Sequence, residues 1–154
     1  MTNHDYIEDD QSIVMAEIMQ PGMANFHGNV HGGHILKLLD SVAYACASRY
    51  SGKYIVTLSV DQVIFKEPIH VGELVSFYAS VNYVGNTSME IGIRVIAENL
   101  ISRKKRHTNT SYFTMVALDE KGKPTKVQPL ELKTDIQKQR YQDALLRKEK
   151  RKLK

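Results

Sequence analysis

Along residues 34–50 the apolar positions recur at intervals of three and four. Ile35, Leu38, Leu39, Val42 and Cys46 form one stripe, and Leu36, Ala43, Ala47 and Tyr50 form a second. That spacing predicts an α-helix covered on most of its sides. Lys37, Asp40, Ser41, Tyr44 and Ser48 are left over and share the remaining narrow face. On either side of this helix the period falls to two. Residues 12–19, "SIVMAEIM", read as a first strand, closed by Pro21 and Gly22, which continue neither a ladder nor a helix easily. After Ser51-Gly52, "YIVTLSVD" alternates Tyr54, Val56, Leu58 and Val60 with mostly polar partners. The phase then shifts at Asp61-Gln62 to bring Val63 and Phe65 into line, as a bulge does. A third strand follows Gly72, with Val75, Phe77, Ala79, Val81 and Tyr83 on one face. The turn "VGNTS" leads to a fourth, with Met89, Ile91, Ile93, Val95 and Ala97 aligned, and "TNTSYFTMVAL" is a fifth, closed by the turn "DEKGKP".

One strand, one long buried helix and then four strands contain no strand–helix alternation of the kind that builds a parallel sheet. The pattern predicts an α+β domain in which a five-stranded antiparallel sheet wraps around one long helix, the hotdog arrangement. Such a sheet has two open edges, and edges are paired or covered in stable proteins. A dimer with a continuous ten-stranded sheet is therefore expected. The chain divides into an N-terminal extension over 1–11, the domain over 12–132 and a basic, partly helical tail over 133–154.

Composition narrows the function classes. The 154 residues are 42% hydrophobic and 25% charged, with no apolar run near the roughly 20 residues a membrane-spanning helix needs. The acidic start "MTNHDYIEDDQ" does not read as an export signal, and the single cysteine, Cys46, fits a reducing cytoplasm. The net charge of +4 belongs to the tail: residues 133–154 hold nine Lys/Arg against three acids, so the remainder carries −2. Charge-rich termini are commonly solvated, and with only Tyr141 as an aromatic neighbour the tail does not predict a nucleic-acid partner.

Candidate chemistry concentrates in "ANFHGNVHGGHILKLLD". No nucleophile elbow, phosphate-binding glycine loop, C-x-x-C or H-E-x-x-H is present. Cys46 lies in the apolar stripe and reads as structural. His27, His31 and His34 crowd the segment without acids or cysteines to complete a tetrahedral metal set, so no metal is expected. They read as loop and helix-start residues, with His31 lining a site. Gly32 and Gly33 permit close backbone approach just before a helix whose first N–H groups have no internal partners. Fixed donors of that kind stabilise a thioester oxyanion by about 3–4 kcal/mol each in enzymes that use them. Asp40 is a poor mid-helix residue, for which an ion pair with Lys37 is the plainest account. It lies two turns from Gly33, roughly 10 Å away, too far for both to grip one atom within a protomer. Either the substrate spans the gap, or the two groups serve different sites across a dimer interface.

The segment "ANFHGNVHGGHILKLLDSVAYACASRY", followed by "VDQVIFKEPIHVGELVSFYASVNYVGNTSMEI" and "TSYFTMVALDEKGKP", resembles the hotdog acyl-CoA thioesterases, specifically the bacterial broad-specificity and mammalian cytosolic acyl-CoA hydrolases. The resemblance spans roughly residues 12–130. It implies that Asn25 and Asp40 are a catalytic pair contributed by opposite subunits. Asp40 would be general base or nucleophile, Asn25 would orient water or substrate, and the Gly33 N–H would lie in the oxyanion hole. Gly32, Ser88 and Lys105 would contact the coenzyme A moiety, which belongs to substrate and product, so no cofactor is implied. A homodimer, assembled further into a trimer of dimers, is the implied form. A noncatalytic acyl-CoA sensor on the same fold is the alternative; the His-plus-carboxylate pattern of hotdog hydratases is not found.

Overall fold

The computed structural model describes residues 10–153 apart from Gln62. Five strands form one sheet: β1 (Ser12–Ile18), β2 (Tyr54–Val60), β3 (Leu74–Val84), β4 (Ser88–Glu98) and β5 (Lys105–Leu118). Their order is β1-β3-β4-β5-β2, with every neighbouring pair antiparallel. The long helix α1 (Gly32–Ser51) packs across all five strands. Ile35, Leu39, Val42, Ala43, Cys46 and Ala47 meet Val75, Phe77, Ile91, Ile93, Phe113 and Met115 in a single core. Gly52, in the left-handed region at φ 66°, ends the helix, its N–H returning to the Ser48 carbonyl. The exposed polar stripe Lys37, Asp40, Ser41 and Tyr44 is the one left over in the periodicity.

Strand β2 departs from the expected pattern. Ile55, not the Tyr54–Leu58 set, enters the core, while Tyr54 and Leu58 stay 63% and 67% exposed. The bulge lies at Leu58, where the register to β5 slips between Thr57 and Ser59. The expected shift at Asp61-Gln62 falls partly outside the described residues. Both faces of this edge strand carry apolar residues, so alternation alone does not say which face meets the helix; pairing to β5 decides it. Thr57 is thereby turned toward α1.

The tail corrects a second expectation. It is helical, as expected, but one side of it is docked: α2 (Asp135–Lys152), capped by Thr134 through a capping box with Gln137, lies on the sheet face opposite α1 with its outer side in solvent. It meets side chains such as Glu90 and Tyr112, which alternate with the core-facing Ile91 and Phe113. Ala144 is buried beneath it. Arg147 grips Glu90, itself 2% exposed, through Nη2 at 2.6 Å and Nε at 3.1 Å, and sits 3.6 Å above the Tyr112 ring. Arg151 reaches Asp61 at 3.0 Å. On the same face Asn82 bonds Ser80 and Glu90, and a Cβ on Gly92 would overlap the Asn82 amide nitrogen and push it off Glu90.

The link between domain and tail is fastened by Tyr50. Its hydroxyl donates toward the carbonyls of Gln128 and Pro129, both at 2.9 Å, and the Gln128 side chain donates back to the Tyr50 carbonyl at 2.6 Å. Burial pushes the phenol above its usual value. A pKa raised on folding favours the protonated form, so this contribution is intact below about pH 10 and is lost as pH rises through the higher folded value. Tyr50→Phe is expected to lower stability by about 1 kcal/mol, read as a shifted denaturant midpoint at unchanged slope. The variant should also lose less stability above pH 10 than the parent. A midpoint equal to the parent's would show that the clamp contributes nothing.

Candidate active site

The segment before α1 folds around one side chain. Asn25 Oδ1 accepts from the backbone N–H groups of His27 at 2.9 Å and Asn29 at 3.1 Å, and the Gly28 N–H returns to the Asn25 carbonyl. Gly28 takes φ 80°, a turn conformation glycine adopts without steric cost. The amide oxygen is thus committed to the loop, and the amide nitrogen is the group Asn25 offers to a ligand. A chain of contacts braces this turn from behind. His70 Nδ1 lies 3.0 Å from Asn29 Oδ1, the His70 N–H donates to Glu73, and the buried Glu73 carboxylate receives Arg106 Nη2 at 2.6 and 2.8 Å. Arg106 also reaches Glu67 and the Pro68 carbonyl. Carboxylate hydrogen bonding raises the Arg106 pKa further above its usual value, so the guanidinium stays charged.

Asn25 opens on a cleft of about 210 Å³, with Gly32, Ile35 and Phe65 among its walls. The glycines divide their duties. His31 is the N-cap of α1, and its Nδ1 accepts the Gly33 N–H at 3.0 Å. The Gly33 N–H expected at an oxyanion is therefore spent on the cap, and Gly32 is the glycine that lines the cleft. The histidines serve separate ends. His31 caps, His27 is exposed, and the His34 Nε2 is buried without a partner.

Asp40 stands on the exposed stripe of α1. No ion pair to Lys37 forms among the described residues; instead Thr57 Oγ1 donates to Asp40 Oδ1 at 2.6 Å. The short hydroxyl–carboxylate bond fixes the carboxylate plane and leaves Oδ2 for another proton. Thr57 is the site residue the sequence does not disclose, since only the register of β2 against α1 brings it there. Asp40 does not line the Asn25 cleft. Ser88 and Lys105 are not brought together either. Ser88 pairs with Val116 at one end of the β4–β5 ladder and Lys105 with Glu98 at the other, on the order of 30 Å apart at strand rise. One protomer does not bring both to the same phosphate.

A sheet wrapped on one helix, a glycine-led helix start and a Thr-held aspartate are shared with known thioesterases in so far as the following comparisons show. A family model of the thioesterase superfamily matches residues 27–102. Protein VdlD of Helicobacter pylori is 52% identical over 143 residues, covering 93% of this chain and 82% of that protein. The acyl-CoA hydrolase of Staphylococcus aureus, solved with butyryl coenzyme A, coenzyme A and coenzyme A disulfide, superposes with a TM-score of 0.86 at 32% identity, over 92% of this chain and 87% of that one. Structures of that hydrolase also exist with single alanine replacements of an aspartate, an asparagine and a threonine. An apo-hexameric acyl-CoA thioesterase matches with a TM-score of 0.88 at 35% identity, covering 92% and 90% of the two chains. The chain belongs to the hotdog-fold acyl-CoA thioesterases. No helix among the described residues is long and apolar enough to cross a membrane.

Proposed function

We propose that the protein hydrolyses acyl-CoA thioesters to a carboxylic acid and coenzyme A, in sites shared between two protomers. The observation that carries the reading is the 2.6 Å Thr57–Asp40 bond. It holds a carboxylate in one orientation on the edge-strand side of α1, beside apolar residues left exposed on β2. The three residues replaced in the Staphylococcus aureus hydrolase are spaced along that chain as Asn25, Asp40 and Thr57 are along this one. In the proposed cycle the thioester carbonyl lies in the cleft against the Asn25 amide nitrogen and the Gly32 N–H at the start of α1. Asp40 of the partner subunit takes a proton from water as its oxygen attacks the carbonyl carbon. The C–S bond then breaks, and the thiolate recovers the proton from that carboxylate. Direct attack by Asp40, through an anhydride that water later opens, is the nucleophilic variant of the same geometry. Gly33, through the His31 cap, keeps the helix start in place.

Dimerisation along β2 would cover its exposed apolar row, and three such dimers would make a hexamer, the number of subunits in the hexameric relative. Sharing of sites is tested by mixing two inactive variants, Asn25→Ala and Asp40→Asn. Each mixed dimer holds one intact site and one doubly altered site, so random pairing should restore about a quarter of parental thiol release. No recovery in mixtures shown to have exchanged subunits would place both residues in one protomer's site. Tight acyl-CoA binding with no turnover by the parent protein would replace hydrolysis with sensing.

A further inference from the structure

The cleft at the start of α1 is walled by apolar side chains such as Ile35, Phe65 and Ile69, yet two asparagines line it. Asn25 presents its amide nitrogen there, and Asn29 is held so that it does the same. Asn29 Oδ1 lies 3.0 Å from His70 Nδ1, and His70 is not among the residues that line the cleft. An amide oxygen only accepts, so His70 carries a proton on Nδ1 and donates it. That bond turns the amide and leaves its nitrogen over: Asn29 Nδ2 makes no hydrogen bond among the described residues.

The backbone sets the two amides side by side. The Asn25 N–H donates to the Asn29 carbonyl at 2.6 Å, and the Asn29 N–H donates to Asn25 Oδ1 at 3.1 Å. On the far side, Asn29 bridges His70, and the Val30 N–H donates to the Ile69 carbonyl at 2.8 Å. None of these bonds uses either amide nitrogen. Gly32 stands in the same wall as the first residue of α1, where its N–H has no partner within the helix. Three donors therefore meet at one cleft. A hydrocarbon occupant would leave all three without an acceptor. A thioester carbonyl offers two lone pairs, enough for two of them, whereas the oxyanion formed when water adds to it offers three.

We propose that Asn29 is a further catalytic residue: its Nδ2 donates the third hydrogen bond to the oxyanion, beside Asn25 Nδ2 and the Gly32 N–H, and His70 is the positioning residue that keeps the amide turned that way. The inference rests on the hydrolytic reading above and adds no step to it. As water's oxygen bonds the carbonyl carbon, the C=O electron pair moves onto the oxygen that the three donors face, and it returns as the C–S bond breaks. A donor engaged only in that interval lowers the barrier without tightening substrate binding.

Asn29→Ala and Asn29→Asp are compared with the parent in thiol release from one acyl-CoA over a range of concentrations, beside an unfolding curve for each protein. Both variants keep the backbone bonds of the turn. The aspartate also keeps an oxygen for His70 but has no N–H to give. Either change is expected to lower kcat about 10²-fold or more, with KM changed little. A role confined to holding the turn predicts that Asn29→Asp, still bonded to His70, works nearly as well as the parent. That outcome overturns the proposal, as does a loss confined to KM. His70→Ala should lower kcat in the parent and add nothing in Asn29→Ala, because its effect passes through that amide; equal losses in both backgrounds remove His70 from the positioning role. The two readings fail separately. A parent without turnover removes hydrolysis and the oxyanion together, whereas an active parent whose kcat is retained by Asn29→Ala removes Asn29 alone.

Discussion

Asp40→Asn is expected to lower kcat for acyl-CoA hydrolysis by about 10³-fold, with KM changed little, because a positioned base contributes on the order of 10²–10⁴. The substitution isolates that role well. Asparagine keeps an oxygen to accept the Thr57 hydroxyl, which now bonds Asp40 at 2.6 Å, so the contact to the edge strand survives while the basic oxygen is lost. Asp40 is exposed on its helix and makes no ion pair among the described residues, so the fold should tolerate the change. Thiol release at saturating substrate, beside an unfolding curve for each protein, reads both quantities. An Asn variant within tenfold of the parent would remove Asp40 from the chemistry. Equal losses in kcat and kcat/KM mark a contact made only in the transition state.

The largest stability effect is expected away from this chemistry, at Arg147. Glu90 is 2% exposed and depends on that guanidinium for its close bonds; Asn82 at 3.3 Å and Arg151 at 3.8 Å are what would remain. Arg147→Ala strands a buried carboxylate, a change that costs about 3–5 kcal/mol in comparable pairs. In a chain of this size that lowers Tm by roughly 6–20 °C. Replacing both partners, as Glu90→Leu with Arg147→Met, should lose far less, since the desolvation penalty disappears with the charges. Thermal unfolding at equal protomer concentration makes the comparison. A single Arg147→Ala variant within 1 kcal/mol of the parent would mean that α2 is not anchored by this pair.

The difference between what these residues show in sequence and in three dimensions follows from the range of the forces involved. Helix α1 is legible because Ile35, Leu39, Val42 and Cys46 repeat at helical spacing, a local property. Strands β3 and β4 are legible because apolar residues alternate over Val75–Val81 and Met89–Val95. The face of β2 is not, since apolar residues occupy both of its sides and pairing with β5 selects Ile55 and Thr57 for the helix. Docking of α2 is hidden for the same reason. Arg147 and Arg151 are indistinguishable from solvated cations until Glu90, a buried carboxylate of β4, is placed beneath them. At the site, Asn25 and Asp40 stand out only through family resemblance. Thr57 requires the register, and the placing of Gly32 rather than Gly33 on the cleft requires seeing His31 turn its ring onto the helix start.

Helix α1 carries the cleft glycine at its first residue and the aspartate two turns later. In the shared-site dimer proposed above, each of the two helices would be a stiff rod with one functional group in either reaction chamber. A slide of either rod along its axis displaces the carbonyl-binding end in one chamber and the carboxylate in the other by the same amount. In that arrangement the two chambers would have no independent adjustment: they would be tuned, strained or relaxed as a pair.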